Sequence, residues 1–293
     1  MATAPADGRI VLVGTPIGNL GDLSPRAVQA LAAADVIACE DTRVTRKLLT
    51  HAGITGKRLV TLNAHNEGPG SDQLVAEAAA GGVVAVVTDA GMPGVSDPGA
   101  RLVAAATGAG VAVEVVPGPS AGLTALVVSG LPTDRFSFDG FLPRKGGERS
   151  ARLQAIAASD RTVVLFESPH RVRATIGDLV SVCGGERRVA VARELTKLHE
   201  EVWRGTLAGA VDLWATVEPR GEYVIVVGPA PAAAAAAVSD RDIADALGPL
   251  LDGGGDRKAA VITVTAALGV PRRRVYDVAV RLKNGDGQEK GAR

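Results

Sequence analysis

Short valine- and isoleucine-rich runs alternate along the chain with longer segments whose apolar residues recur at helical spacing, the pattern of strands covered by helices. In the first 132 residues strands are predicted at 9–13, 36–39, 58–62, 83–88 and 111–116. Helices are predicted between them at 24–34, with Pro25 in the first turn, and at 42–50, 71–80 and 98–107. This predicts an α/β domain with a largely parallel sheet over residues 1–132. A second α/β domain follows at 133–229, with strands at 136–141, 162–167, 188–192, 202–206 and 223–227 and helices at 148–158, 170–182 and 207–215. Its last strands are joined by short connections, which predicts a mixed sheet.

An alanine- and proline-rich stretch, 230–238, reads as a linker to a small helical domain at 239–293. There "AALGVPRRRVYDVAV" has the form of a helix-turn-helix, with Gly269 at the turn and Arg272, Arg273 and Arg274 opening the second helix. From 257 to 293 nine basic residues face three acidic ones. That excess is either a solvated helical face or a nucleic-acid contact.

Charge elsewhere narrows the classes. Lysine plus arginine equals aspartate plus glutamate, 32 each in 293 residues, so no global basic field draws in nucleic acid. Cys39 and Cys183 lie far apart, which excludes a zinc cluster or a disulfide framework. The segment "NAHNE" at 63–67 lacks a third well-spaced ligand, so no metal site is expected. The uncharged runs 115–133 and 223–239 are broken by glycine and proline, and the N-terminal residues lack a signal peptide's basic start and apolar core. A cytoplasmic protein with no membrane span is the expectation.

Three glycine-rich loops follow strands of the first domain: "GTPIGNLGD" at 14–22, "TDAGMPGVSDPG" at 88–99 and "PGPSAG" at 117–122. Loops at the carboxyl ends of strands in an open α/β sheet are where ligands bind, and three of them suggest one extended site. The first has neither the lysine and Ser/Thr of a P-loop nor the spacing G-x-G-x-x-G. Asp89 and Asp97 would repel a triphosphate, so a zwitterionic or cationic ligand suits the second loop better. The plainer alternative for any one loop is a tight turn.

"LVGTPIGNLGDLSPRA", "CEDTR", "TDAGMPGVSDPG", "VPGPSA", "GFLPRK", "FESPHR" and "RELTKLHEE", in that order, resemble the motifs of the small-subunit ribosomal RNA methyltransferase I family of the tetrapyrrole methylase superfamily. The resemblance runs from about residue 9 to residue 228. It implies two α/β domains with a cleft between them, S-adenosylmethionine (SAM) as cofactor, a homodimer, and 2'-O-methylation of a cytidine ribose in the decoding region of 16S rRNA, in the 30S subunit. It also implies the cofactor contacts: Thr15, Pro16 and Gly18; Thr88, Asp89, Ala90 and Gly91; Val95, Ser96 and Asp97; Ser120 and Ala121. The superfamily's tetrapyrrole-modifying branch typically carries Gly-x-Gly-x-Gly-Asp in the first loop. Here the loop reads Gly-Thr-Pro-Ile-Gly-Asn, which favours the RNA branch over a small-molecule methyltransferase.

Methyl transfer to an alcohol rests mainly on alignment, helped by a base or an electrostatic partner. The polar cluster at 193–201 is either a charged surface hairpin or the catalytic group. On the second reading Lys197, with a lowered pKa, or Glu201 takes the hydroxyl proton beside Arg193. Arg144 and Lys145 in "GFLPRK", Arg171 in "FESPHR", Arg43 in "CEDTR" and the triplet Arg272, Arg273 and Arg274 are the expected RNA contacts. His170 at a helix start suits a structural role, and Asp41 suits a helix cap.

Overall fold

The computed structural model describes residues 8–216, 218–231, 238–252 and 255–285. The chain divides into two compact units, residues 1–230 and 231–293. Most of the predicted linker, residues 232–237, lies outside the described residues.

In the first unit β1 (Arg9–Val13), β2 (Val36–Cys39), β3 (Arg58–Thr61), β4 (Val83–Val86) and β5 (Ala112–Val116) form an all-parallel sheet in the order β3-β2-β4-β1-β5. Strand residues alternate between its two faces. Val11, Val13, Ile37 and Cys39 pack on α1 (Pro25–Ala33) and α2 (Thr42–His51) through Ala27, Leu31, Leu48 and Leu49. Ile10, Val36, Ala38, Val84 and Val86 pack on α3 (Glu67–Ala79) and α4 (Ala100–Gly108) through Leu74, Ala78, Leu102 and Ala106. Helix α3 starts a turn before the expected residue 71, because Pro69 falls in its first turn, where no amide hydrogen is needed.

The second sheet is mixed, in the order β6-β7-β10-β8-β9. Strand β6 (Phe136–Phe141) runs parallel to β7 (Thr162–Glu167), while β10 (Tyr223–Val227), β8 (Arg188–Arg193) and β9 (Glu201–Thr206) are joined antiparallel. One face carries Val163, Leu165, Val191 and Ile225 against α6 (Gly147–Ala158), α7 (Val172–Cys183) and α8 (Leu207–Thr216). The other face is covered by a helix of the first half of the unit. Helix α5 (Ala121–Ser129) leaves β5 and places Ala125 and Leu126 against Val164, Ala190, Ala192, Val224 and Val226. The sequence reading had no helix there.

The loops after β4, β1 and β5 are neighbours because those strands are adjacent. Gly14 N–H donates to Val116 O at 2.9 Å, and Thr15 and Gly91 exchange backbone hydrogen bonds at 2.9 and 3.2 Å. A Cβ added at Gly118 would stand 2.7–2.8 Å from the Gly14 backbone. Main chain meets main chain at this point, so the first loop's glycine admits the third loop.

In the second unit α9 (Asp240–Leu251), α10 (Arg257–Leu268) and α11 (Arg272–Gly285) enclose Ile243, Leu247, Val261, Val264, Val275 and Val278. Ser239 and Asp242 form a capping box at the start of α9. Gly269 takes the left-handed conformation (φ 63°) between α10 and α11, at the expected turn. Among the described residues no helix is long and apolar enough to cross a membrane.

Gly118→Ala is expected to lower stability by about 1–3 kcal/mol through overpacking against an unyielding backbone. Thermal denaturation checks this; an unchanged midpoint would mean that the two loops separate at little cost.

Candidate active site between the two sheets

A cavity of about 300 Å³ opens between the loop ends of the first sheet and the α5-covered face of the second. The first sheet contributes Ile17, Ala90, Gly91, Met92, Val95, Ser96, Asp97, Ser120 and Ala121. The second contributes Phe141, Phe166, Glu167, Ser168, Pro169, Leu195, Glu222, Tyr223 and Val224. Of the expected cofactor contacts, Ala90, Gly91, Val95, Ser96, Asp97, Ser120 and Ala121 line this space. Thr15, Pro16, Gly18, Thr88 and Asp89 do not.

Thr15, Pro16 and Thr88 are buried, whereas Gly18 and Asp89 are exposed. The buried Thr15 hydroxyl donates to Thr88 O at 3.2 Å, tying β1's exit to β4's. Asp89 accepts from the Asp41 amide at 3.1 Å. At Gly18 an added Cβ would lie within contact of the Lys197 Cγ and, at 2.9 Å, the Thr196 Oγ1. The first loop therefore seats two other parts of the chain: the third loop on Gly14 and the β8–β9 hairpin on Gly18.

The second loop is held under conformational constraint. Gly91, Gly94 and Gly99 have φ of 86°, 84° and 139°, and Ser96 adopts the left-handed region at 63°, where a non-glycine residue is costly. Glu67 braces the loop from α3, its Oε1 accepting from the amides of Gly99 (2.8 Å) and Arg101 (3.2 Å). The rest of "NAHNE" closes its own turn, Asn63 and Asn66 exchanging side-chain-to-backbone hydrogen bonds. Among the described residues no group of three or more His, Cys, Asp or Glu is placed to hold a metal ion.

Asp97 is a cavity carboxylate that resists ionisation. Burial, with the charges of Glu40 and Asp89 behind it, pushes it up to about 6. Burial first, then neighbouring carboxylates, also raises Asp89 and Glu40. This end of the cavity is a desolvated negative pole that a cation would relieve.

The hairpin residues differ from expectation. Lys197 Nζ donates to Glu194 Oε1 at 2.9 Å and Glu222 Oε2 at 2.8 Å. Burial works to lower its pKa, but these bonds prevail and raise it, which withdraws the expected lowered-pKa lysine. Glu201 pairs with Arg193 at 3.4 Å beside Trp203, Trp214 and Tyr223, in a separate small hollow outside the main cavity.

The expected RNA contacts separate into free and engaged groups. Arg144 and Lys145 are exposed in the turn after β6, and Arg272 and Arg273 are exposed at the start of α11. Arg43 is largely exposed while paired with Asp41 at 2.6 Å; Asp41 also caps α2 through the Arg43 amide. Arg274 is engaged with Asp240 at 3.0 Å. Arg171 is a correction: it donates to Leu142 O at 2.8 Å and faces the fully buried Glu167 carboxylate at 3.6 Å, so it scaffolds the fold. His170 is exposed and lines no part of the cavity.

The sequence reading missed the whole second wall. Phe166 to Pro169 lie within a motif quoted for other residues, and Tyr223 and Val224 are indistinguishable by pattern from any buried strand.

Residues 9–211 match the family model for Tetrapyrrole (Corrin/Porphyrin) Methylases. The chain belongs to this family. Among curated members of the tetrapyrrole methylases it is 44% identical over 276 residues to the ribosomal RNA small subunit methyltransferase I of Synechocystis sp., covering 94% of this chain and 99% of that protein. It is 49% identical to the Mesorhizobium japonicum protein of the same name, over 78% of each. Its tetrapyrrole methylase fold aligns with a crystal structure of uroporphyrin-III-C-methyltransferase from Thermus thermophilus at 25% identity (TM-score 0.55; 75% of this chain and 94% of that one). A crystal structure of diphthine synthase shares the fold at 18% identity (TM-score 0.60; 75% and 90%). Tetrapyrrole methylases use SAM, the cofactor implied by the sequence motifs.

Asp97→Asn is expected to stabilise the protein in a pH-dependent way. Because the folded-state pKa lies above the unfolded value of about 3.9, ionisation costs stability, and the cost grows as pH rises from about 4 through 6. The variant should melt above wild type at pH 8 and level with it at pH 4. A difference in midpoint that is the same at both pH values would contradict the assignment.

Proposed function

We propose that this protein transfers the methyl group of SAM to the ribose 2'-hydroxyl of a cytidine in the decoding region of 16S rRNA, with the 30S subunit as substrate. One observation carries the reading: 44% identity, over 94% of this chain and 99% of the relative, to a protein named ribosomal RNA small subunit methyltransferase I.

The donor set fits the cofactor. Ile17, Phe166, Leu195 and Val224 give an apolar wall suited to an adenine ring. The Asp97 end offers negative charge to the ammonium and sulfonium groups. Helix α5 opens on the cavity at Ser120 and Ala121 with no side-chain cap, so its first amides are available to a carboxylate. When bound, SAM supplies an electrophilic methyl group on a positively charged sulfur.

The chain's own contribution is alignment in a partly desolvated cleft. Lys197 acts as a fixed cation that ties Glu194 to Glu222, the latter a lining residue of the cavity. Arg144, Lys145, Arg272 and Arg273 supply exposed charge for phosphates. The same reading carries a homodimer, supported by large apolar side chains left exposed on β5 and α5: Val115, Leu123 and Val127, the last 75% exposed.

Two outcomes test the roles of the charged groups. SAM affinity should weaken as pH falls through about 6, and Asp97→Asn should flatten that dependence; calorimetric titration at pH 5 and 8 reads it. Lys197→Met should lower the rate yet leave the shape of the pH–rate profile unchanged. Loss of one limb of that profile would restore Lys197 as the base.

The reading as a whole is tested by labelled methyl transfer from SAM to 30S subunits lacking this modification, followed by nuclease digestion and nucleoside mass analysis. The expected product is 2'-O-methylcytidine. SAM binding without transfer to 30S would point instead to a small-molecule substrate.

A further inference from the structure

Aromatic residues make up 3% of the chain, yet its four phenylalanines, Phe136, Phe138, Phe141 and Phe166, all lie on β6 and β7. Three of them form one edge-to-face cluster: Phe138 and Phe166 have ring centroids 4.9 Å apart at 74°, and Phe141 and Phe166 are 5.7 Å apart at 65°. Phe138 is anchored over α5, where a Cβ at Gly122 would meet its ring at 3.4 Å. Phe141 is the outermost of the three, 54% exposed at the cavity's edge.

The backbone that carries Phe141 onward is pinned from beneath. Arg171 donates to Leu142 O at 2.8 Å and Arg149 to Pro143 O at 2.9 Å. Arg149 also binds Asp178 (2.7 Å) and Thr175 (3.1 Å), and Thr175 in turn donates to the buried Glu167 at 2.6 Å. Glu167 is fully buried and Arg149 largely so, a placement that is costly unless each is satisfied, and here both are satisfied beside two loop carbonyls. Arg144 and Lys145, next in the chain, are exposed. This braced segment thus carries an exposed aromatic ring at the cavity and, three and four residues further on, two exposed cations.

That combination matches an extruded nucleotide: a π-face for the base, and positive charge for the flanking phosphates. A ribose whose 2'-hydroxyl enters the cavity belongs to a nucleotide turned out of its stack, and its base needs a new surface. Resting on the RNA reading above, we propose that Phe141 is the stacking platform for the target nucleotide's base, with Arg144 and Lys145 clamping the adjoining phosphates. Stacking tolerates any base, so Phe141 provides affinity and placement and leaves the choice of cytidine to other groups.

The test is steady-state methylation of 30S particles lacking the modification, at saturating SAM, with SAM affinity measured separately. Phe141→Ala should raise KM for 30S roughly ten- to a hundredfold, the loss of one base stack, with SAM affinity unchanged. Phe141→Trp should restore KM. Phe141→Leu, which keeps apolar bulk without a π-face, should not, and this pair separates stacking from a folding defect. Arg144→Ala with Lys145→Ala should raise KM and reduce its dependence on salt. A wild-type KM in Phe141→Ala, equal rescue by Leu and Trp, or loss of SAM affinity in Phe141→Ala would each overturn the proposal; the last would make Phe141 a cofactor wall. Wild-type protein that binds SAM and transfers nothing to 30S would remove the underlying reading, and the proposal with it.

Discussion

The spacing of the two sheets depends on helix α5. It begins at the carboxyl edge of the first sheet, at Ser120 and Ala121, and ends packed through Ala125 and Leu126 on the second. A helix shared in this way fixes the distance between one sheet's loops and the other sheet's strands, and the cavity is the space left between them. Ile17 joins the same apolar cluster from the first loop, and Leu195 joins it from the β8–β9 hairpin. The first glycine loop is thereby held between two partners, Gly118 and Lys197, each of which comes close enough to require the absence of a side chain.

Within that frame the cavity carries carboxylate charge around Asp97. Desolvated carboxylates gather at the Asp97 end, where burial and mutual repulsion work against ionisation. In the turn after β6 the cations of Arg144 and Lys145 stand in solvent, supported by arginines that are consumed in the fold. The Asp97 carboxylate suits a positively charged cofactor, and the exposed cations after β6 suit a polyanionic substrate.

The fold was largely legible because its strands and most of its helices follow simple periods. Helix α5 was not, since "AGLTALVVS" is apolar on nearly every side and carries no period to read. Side-chain partners were the other hidden layer. Arg171 and Arg144 look alike in sequence, both following a strand in a motif with proline, yet one is tied to Leu142 O and the other is exposed. Lys197 looked like a base because it stands in a polar cluster; its two carboxylate partners, one of them Glu222 on a distant segment, reverse that inference. The cavity's second wall comes from strand ends that serve the core and the site at once, and pattern alone cannot separate those duties.

The central claim is that both sheets together hold SAM. Hydrogen–deuterium exchange with and without SAM addresses it most directly. Slowed exchange is predicted on both walls: at residues 90–97 and 120–122 on one side, and at 166–169 and 222–224 on the other. Protection confined to one sheet, or none despite measurable binding, would contradict the account.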